Sequence, residues 1–402
     1  MTSEKSPLSI QSAEFDQILS KVAPTEEYNM QPYAKRVLDV FHDIEALSLS
    51  FRDGADWRHF QPSEKEHFMD FVGLNYFFTK VAPRLKILKE ELLLSVRSRL
   101  KPFVKNPDLC IKSFVTHKDL RVFLIYLQLP DLIQYENLDM LIEIIQVLLH
   151  LPQWAQKTLK NWFSTLPQIP FINLVTDLQH IIAVFVAEEN MKFETQLQMN
   201  LMDRIMGMGL VIKKPDYSAL EPVVLLLQFF YDANSLSNKV GLTYFQNTSL
   251  VNDYMVTFQF RAWKDTPNEF SFCKFRWLLD IDFKAKVLEE ESKEEQEEEK
   301  KKGIRSLTQM LNENYFGMML NAGELIHFTL EVRRDHIIED SLNGLTKTSQ
   351  HSSFKKKLKV KFIGEPGVDE GGVKKEFFQI LIKQLFDPMY GMFVEKMVKD
   401  IY

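Results

Sequence analysis

FKKKLKVKFIGEPGVDEGGVKKEFFQILIKQLFDPMYGMF, residues 354–393, decides the fold of the C-terminal part of this chain. From Lys357 to Phe362 apolar residues alternate with lysines, which predicts a half-buried strand. The glycines and proline that follow predict a turn. From Val373 the apolar residues recur at helical spacing until Pro388 interrupts them. The sequence therefore predicts a strand, a glycine-rich turn and a helix in succession.

The turn GVDEGG, residues 367–372, has two interpretations. One is a tight turn at positions where a Cβ is not tolerated. The other is a phosphate cradle, but the spacing fits neither common phosphate-binding pattern, and Asp369 and Glu370 would repel an anion. A structural turn is favoured, with both carboxylates near the positive end of the following helix.

This region resembles the N-terminal lobe of HECT-type ubiquitin ligases. The resemblance is carried by GEPGVDEGGVKKEFF (364–378) with FDPMYGMF (386–393), and upstream by LEVRRDHIIEDSL (330–342). EFSFCKFRWLLDIDFKAKVLE (269–289) is similar to the opening helices of that lobe. The resemblance implies a function in ubiquitin transfer, through a cysteine thioester, to substrate lysines. It also implies ubiquitin and a ubiquitin-conjugating enzyme as partners of the family.

The composition of the 402-residue chain excludes several classes of protein. A hydrophobic content of 45% is enough for a packed core, and a net charge of −6 argues against a nucleic-acid partner. The start lacks the apolar core of a signal peptide, and no apolar run has the length of a membrane span. We expect a soluble protein in the cytoplasm or nucleus, without a cofactor or metal.

The expected fold is mostly α, an irregular antiparallel helical array followed by an incomplete α+β HECT N-terminal lobe. Residues 1–33 are predicted to be a flexible leader, and 34–232 the helical region. Residues 242–393 are predicted to be the partial lobe, and 394–402 a divergent tail.

Prolines divide the helical region into segments with apolar residues at three- and four-residue spacing. The first segment has a predicted buried stripe of Val37, Val40, Phe41 and Ile44. A second helix is predicted to start at Pro62, with Ser63 and Glu66 forming a capping box. Short connections favour antiparallel neighbours. Met140–Val186 is similar to the helical region that precedes the lobe in one HECT subgroup.

The predicted lobe contains further elements. VTFQFRAW (256–263) and HFTLEV (327–332) alternate like strands. Asp335 is predicted to cap a helix that buries Ile338, Leu342 and Leu345.

The charge run from Val287 to Gly303 is either a tail for a basic partner or a solvated helix. Its acidic part precedes its basic part, and Glu298 stands four residues before Lys302. Both features suit a solvated helix, which is the favoured interpretation.

Thioester chemistry requires a reactive thiolate, and the chain has two cysteines, Cys110 and Cys273. Both stand among apolar or aromatic neighbours, which is typical of buried structural thiols. His117 is seven residues from Cys110, about two helical turns away. The family's nucleophile stands in a Thr-Cys-Phe-type motif of a C-terminal lobe, and no such motif occurs here. We therefore predict no catalytic residue, and that neither cysteine accepts ubiquitin.

His336 lies near Asp335 and Asp340, but no nucleophile or metal motif accompanies them. This group is interpreted as a polar helix start. Arg333 and Arg334 are expected to pair with local carboxylates rather than to bind phosphate.

The leading functional prediction is a truncated, non-catalytic member of the HECT family whose helical region binds substrates or regulators. The alternative is a helical scaffold unrelated to ubiquitin. Because much of the last helix is apolar, we also predict an exposed apolar patch, local disorder or chaperone dependence around residues 354–402.

Overall fold

The computed structural model describes residues 9–10, 31–53, 60–85, 87, 89–205, 212–312, 325–348, 354–365 and 371–391. The predicted tail lies outside the described residues, as does most of the predicted leader. So does the segment 366–370 of the glycine-rich turn, with Asp369 and Glu370. The chain forms two compact units, Met1–Lys284 and Ala285–Tyr402.

The described part of the first unit is built from helices. These are α1 (Gln31–His42), α2 (Ile44–Ser48), α3 (Phe71–Tyr76), α4 (Ala82–Arg84), α5 (Lys89–Lys105), α6 (Asp108–Ser113), α7 (His117–Tyr126), α8 (Leu138–Leu149), α9 (Gln153–Thr165), α10 (Gln168–Ile205), α11 (Glu221–Ser237) and α12 (Asp253–Asp265). Then follow α13 (Ile281–Asn312), β1 (His327–Val332), α14 (Ile337–Lys347), β2 (Lys357–Phe362) and α15 (Gly372–Leu385). The prediction of a mostly α fold with a small α+β part is confirmed.

The helices of the first unit pack through apolar stripes that the sequence periodicity predicts. The stripe of α1 is buried as expected, and Ile44 continues it at the start of α2. Asp43 caps α2, because its carboxylate accepts hydrogen bonds from the backbone N–H groups of Glu45 at 2.8 Å and Ala46 at 3.2 Å. Several main packing partners are distant in sequence: α5 packs against α1 and α8, and α9 against α11.

The helix predicted to start at Pro62 starts later, at Phe71. Asp70 is its cap, since its carboxylate accepts a hydrogen bond from the Gly73 N–H at 2.7 Å. The Oγ atom of Ser63 does accept a hydrogen bond from the Glu66 N–H at 3.2 Å, but this closes only a turn. The Ser63 N–H donates to the Glu66 backbone carbonyl at 2.9 Å rather than to its side chain, so the predicted capping box and the helix start at Pro62 are both wrong.

A buried arginine, Arg121 on α7, holds two earlier parts of the chain together. Its guanidinium donates hydrogen bonds to the backbone carbonyls of His67 at 2.8 Å, Phe51 at 3.0 Å and Phe68 at 3.0 Å, and also to that of Ser48. The side chain is fully buried, and burial lowers its pKa. Carbonyl dipoles thus replace water around this cation, which ties the turn before α3 to the core.

By length and composition alone, the segment Gln168–Met199 of α10 could cross a membrane. The sequence-based expectation that no segment reaches this length overlooked it. Its apolar stripe is packed inside the first unit, however, with buried side chains from Phe171 to Phe193. Gln179, at the edge of this stripe, donates a hydrogen bond to the Phe245 carbonyl at 2.6 Å. These contacts favour a core helix of a globular unit.

The strand predicted at VTFQFRAW is wrong, because this segment lies within helix α12. The Asn252 side chain caps the helix by accepting hydrogen bonds from the N–H groups of Tyr254 at 3.0 Å and Met255 at 3.4 Å. Burial then recurs at helical spacing, at Met255, Val256, Gln259 and Phe260. A short aromatic run fits both periods, and the cap before it decides between them.

The charge run from Val287 to Gly303 lies within α13 and is largely exposed, so the solvated-helix interpretation is confirmed for these residues. The expected ion pair has a different partner. Lys302 pairs with Glu299 at 2.8 Å, three residues before it, rather than with Glu298.

The sheet of the second unit consists of β1 and β2, which pair in parallel, with Leu330 opposite Val360 and Val332 opposite Phe362. Both predicted strands are confirmed. The connection between parallel strands carries α14, as such a crossover requires. The core of the unit joins the strands to both following helices through a cluster of buried residues: Leu330, Val332, Ile337, Val360, Phe362 and Phe377.

Helix α14 differs from its prediction in its cap and in its buried face. A short 3-10 turn, Arg334–His336, precedes it, and no side chain caps it, so Asp335 is not the N-cap. Ile337 and Ser341 are buried, whereas Leu342 and Leu345 are exposed. The helix starts at Ile337, one residue later than a cap at Asp335 predicts, and its buried positions Ile337 and Ser341 are each one residue before the predicted Ile338 and Leu342.

The predicted apolar patch on the last helix is present. Along α15 only Phe377 is buried among the described residues, while Phe378 and Ile382 are exposed. Phe386 and Met389, just beyond the helix, are also exposed, at 57% and 93%. Exposed apolar surface of this kind is typical of contact regions.

Candidate functional site

The two motifs that carry the family resemblance meet at one side chain, Arg334. Its Nη1 atom donates a hydrogen bond to Oε1 of Glu376 at 2.7 Å. Its Nη2 atom donates to Oε2 of Glu365 at 2.9 Å, and Nε donates to the same carboxylate. The guanidinium also lies over the ring of Phe362, 4.2 Å from its centroid. Arg334 therefore links the start of α14 to the turn after β2 and to the first turns of α15.

The electrostatics of this cluster are those of a satisfied ion pair. Hydrogen bonds to Glu365 and then Glu376 raise the pKa of Arg334, and Arg334 lowers the pKa of each carboxylate. A planar guanidinium suits such fork-shaped pairing. Arg334 pairs with carboxylates, as predicted, but its partners are distant in sequence rather than the local ones expected.

Arg333 forms a second clamp within the first motif. Its Nε and Nη2 atoms donate hydrogen bonds to the two carboxylate oxygens of Asp340 at 2.9 and 2.8 Å. Its backbone N–H donates to the same residue at 2.8 Å. The Arg333 side chain, and then its N–H, lower the pKa of Asp340 to about 2. This clamp fixes the chain direction between β1 and α14.

His336 is exposed, and its Nδ1 atom lies 3.3 Å from a carboxylate oxygen of Glu339. With Asp335, Leu342 and Met389 it borders an open groove of about 610 Å³. No group of three metal-ligating side chains occurs in the part of the chain that the structure describes. The cluster is thus a polar helix start beside an apolar groove.

Both cysteines are buried, as their neighbours predicted. Cys110 has no exposed surface, and burial raises the pKa of its thiol. Cys273 follows Ser271, whose Oγ accepts a hydrogen bond from the Cys273 N–H at 3.1 Å. Burial raises the pKa of Cys273 to about 11. Each thiol is therefore protonated at neutral pH and shielded from a large electrophile.

Cys110 and His117 do not lie on one helix, since Cys110 belongs to α6 and His117 begins α7. The His117 ring instead packs edge-on against Trp154, with the centroids 5.3 Å apart.

Sequence reasoning named Arg334 but not its partners. Glu365 and Glu376 follow it by 31 and 42 residues, so local spacing gives no sign of the contact. Both carboxylates belong to the second motif of the family resemblance. The presence of the two motifs in this order was the one sequence feature that could have indicated a contact between them.

Comparison with known proteins supports the class of protein that these motifs indicate, the HECT-type E3 ubiquitin ligases. No family model matches the chain. The chain is 24% identical over 406 residues to "Probable E3 ubiquitin-protein ligase HECTD2" of Pongo abelii, covering 95% of this chain and 48% of the relative. The protein of the same name from Mus musculus is 31% identical over 172 residues, which cover 42% of this chain and 21% of the relative.

A third relative has a different name within the same class. "Probable E3 ubiquitin-protein ligase HERC3" of Homo sapiens is 26% identical over 391 residues, covering 91% of this chain and 33% of the relative. The chain thus spans half or less of the length of these relatives.

Proposed function

We propose that this chain takes part in ubiquitin ligation as a HECT-family polypeptide related to HECTD2, and that its 402 residues bind partners without carrying the transfer thioester. Similarity to probable ubiquitin ligases over most of the chain supports the first part. It also argues against the alternative of a helical scaffold unrelated to ubiquitin.

The observation that carries the second part is the burial of both thiols. A HECT-type transfer would require a thiolate to attack the thioester of a charged conjugating enzyme, releasing that enzyme's thiol. Cys110 and Cys273 are the cysteines of this sequence, and burial raises the pKa of each. Neither has the exposed, electropositive surroundings of a reactive cysteine.

Under this proposal, the helical region receives protein substrates or regulators, in the cytoplasm or the nucleus. A non-catalytic polypeptide of this kind would compete with a complete ligase for the same partners. Contacts with ubiquitin or with a conjugating enzyme are proposed for complete members of the family and not for this chain.

A charging assay tests the proposal directly. The purified chain is incubated with ubiquitin, activating enzyme, ATP and a panel of conjugating enzymes, beside a complete HECT ligase as positive control. We expect a thiol-sensitive ubiquitin adduct on the control and none on this chain. An adduct that disappears in Cys110→Ala or Cys273→Ala would overturn the non-catalytic proposal.

A further inference from the structure

An elongated cleft opens on the surface of the first unit. It lies between the start of α3, the connection from α7 to α8, and the N-terminal half of α10, and it has a volume of about 990 Å³. This volume is at the upper end of pockets that bind ligands, which span roughly 300 to 1,000 Å³.

The rim of the cleft is held in a defined conformation at Asp131. Its φ of 62° places it in the left-handed region, which is disfavoured for a residue with a Cβ. The Asp131 carboxylate accepts hydrogen bonds from Lys89 Nζ at 2.6 Å and Gln134 Nε2 at 3.1 Å, and its carbonyl accepts one from Asn137 Nδ2 at 2.7 Å. These bonds stabilise a backbone conformation that would not form by itself.

A second tie joins the opposite walls. The Tyr135 hydroxyl donates a hydrogen bond to Oε2 of Glu188 on α10 at 2.6 Å, and its ring packs edge-on against Phe185. The walls are therefore pre-formed, which lowers the entropy cost of binding a partner.

The length of the cleft suits a chain segment rather than a compact ligand. Ile169 and Glu188 both line it and stand 19 positions apart on α10. At a rise of 1.5 Å per residue they are separated by about 28 Å, which is the length of about eight residues of extended chain.

The lining of the cleft is mixed polar and apolar. Leu127, Leu129 and Leu174 lie at its base and are almost fully buried. Ile169 lies at the rim, 73% exposed, and offers an apolar contact to aliphatic side chains of a bound segment.

The charges that line the cleft are mainly negative. Four carboxylates, of Asp131, Glu136, Asp177 and Glu188, and one titratable base, His180, are among the described lining residues. Lys89 pairs with Asp131, which leaves the other three carboxylates to set the charge of the cleft. Asp177 is exposed on α10, three residues before His180, and its side chain makes no hydrogen bond or salt bridge within the described part of the chain. A cation of a bound segment would supply a partner for this carboxylate.

We propose that this cleft binds an extended basic segment of a protein partner, with an aliphatic side chain against Ile169 and two cations opposite Asp177 and Glu188. These carboxylates are 11 positions apart on α10, about 16 Å, so the cations should be about five residues apart in the segment. The inference rests on the proposed function and names the partner chemistry of the helical region.

Fluorescence anisotropy with the full chain tests this proposal. The probe is a labelled nonapeptide with leucines between two arginines five residues apart, compared with the same composition with adjacent arginines. We expect the spaced peptide to bind at least about fivefold more tightly, and binding to weaken as salt increases.

Variants on one helix separate the cleft from general charge attraction. Asp177→Lys should weaken binding of the spaced peptide by about tenfold, and Asp177→Asn by about fivefold. The matched control is Glu194→Lys, at an exposed position of α10 outside the cleft, which should stay within about twofold. Circular dichroism confirms that each variant is folded.

Equal affinities of the Asp177 and Glu194 variants would overturn the proposal. So would equal binding of a peptide with glutamates in place of the arginines, or no binding below about 1 mM. The charging assay reports on the thiols alone, so failure of the cleft proposal and failure of the proposed function give different results.

Discussion

At the scale of single residues, Arg334 matters because of its shape as well as its charge. Replacing it by alanine should lower the thermal midpoint of the second unit, because Glu365 and Glu376 would lose their shared partner. Arg334→Lys should restore less than half of the loss, because an ammonium cannot form the fork to Glu365 while reaching Glu376.

Differential scanning fluorimetry of these variants checks this expectation. Arg305→Ala, at an exposed position of α13, serves as the matched control and should leave the midpoint unchanged. If Arg334→Lys behaved like the wild-type chain, charge alone would account for the contact.

His67 should make the first unit sensitive to acid. Burial, and then the Arg121 guanidinium, lower the pKa of His67 from its ordinary 6.5 to about 4. Between these pH values the unfolded chain binds a proton that the folded chain does not. The free energy of unfolding is therefore unaffected by His67 above pH 6.5, and it falls by about 2 kcal/mol as pH falls towards 4.

Urea unfolding at a series of pH values measures this effect. In His67→Gln, the loss of stability between pH 6.5 and 4 should be smaller by about 2 kcal/mol. The wild-type chain, measured in parallel, provides the reference profile. An unchanged profile in His67→Gln would contradict the prediction.

Sequence reasoning was successful where a residue's neighbours determine its environment. Cys110 and Cys273 stand between apolar residues, and both are buried. It was not successful for Arg121, whose carbonyl partners lie 53 to 73 residues earlier in the chain. An arginine in an apolar helix gives no sign of which distant carbonyls will surround it.

At the scale of helices and strands, two glycines in the second unit provide a matched test. Alanine is favoured over glycine in a helix by about 1 kcal/mol. At Gly303 of α13, however, a new Cβ would collide with the backbone carbonyl of Leu325, while at Gly344 of α14 it would meet the side-chain end of Leu330.

We expect Gly303→Ala to lower the free energy of unfolding by about 2 kcal/mol, because backbone cannot move aside. Gly344→Ala should cost less, since Leu330 can change rotamer. Chemical denaturation of both variants measures the difference. If the two variants were equally stable, the Leu325 carbonyl would not prevent a Cβ at position 303.

The elements themselves were predictable to different degrees. The strands β1 and β2 alternate clearly because one face of each is buried. The segment 256–263 alternates too, but Asn252 caps a helix before it, and three-dimensional packing confirms the helix. The buried face of α14 was not predictable, because packing buries Ile337 and Ser341, each one residue before the position that the local spacing predicts.

At the scale of the whole molecule, local stability should differ strongly along the chain. Seven consecutive residues of α7, Leu120–Tyr126, are buried, whereas α15 has Phe377 as its buried residue in the described part. Hydrogen exchange should be slowest in α7 and fast in α15, where few buried contacts oppose opening. Protection of α15 equal to that of α7 would mean that its exposed apolar face has a cover.

The domain bounds proposed from the sequence, 34–232 and 242–393, stay predictions. They follow composition and family resemblance, whereas the compact units divide at Lys284. This division lies within α13, a helix whose continuous charge pattern gives no local sign of a boundary. Element types are encoded locally, but the grouping of elements depends on contacts between distant residues.

The contacts of Arg121 determine when the first unit can complete its folding during translation. The carbonyls of Ser48, Phe51, His67 and Phe68 leave the ribosome well before the guanidinium that joins them. Until α7 emerges, the nascent N-terminal part must keep these carbonyls hydrated and cannot close. A ribosome stalled ahead of residue 121 would therefore display a protease-sensitive polypeptide, and one stalled well beyond it a resistant one.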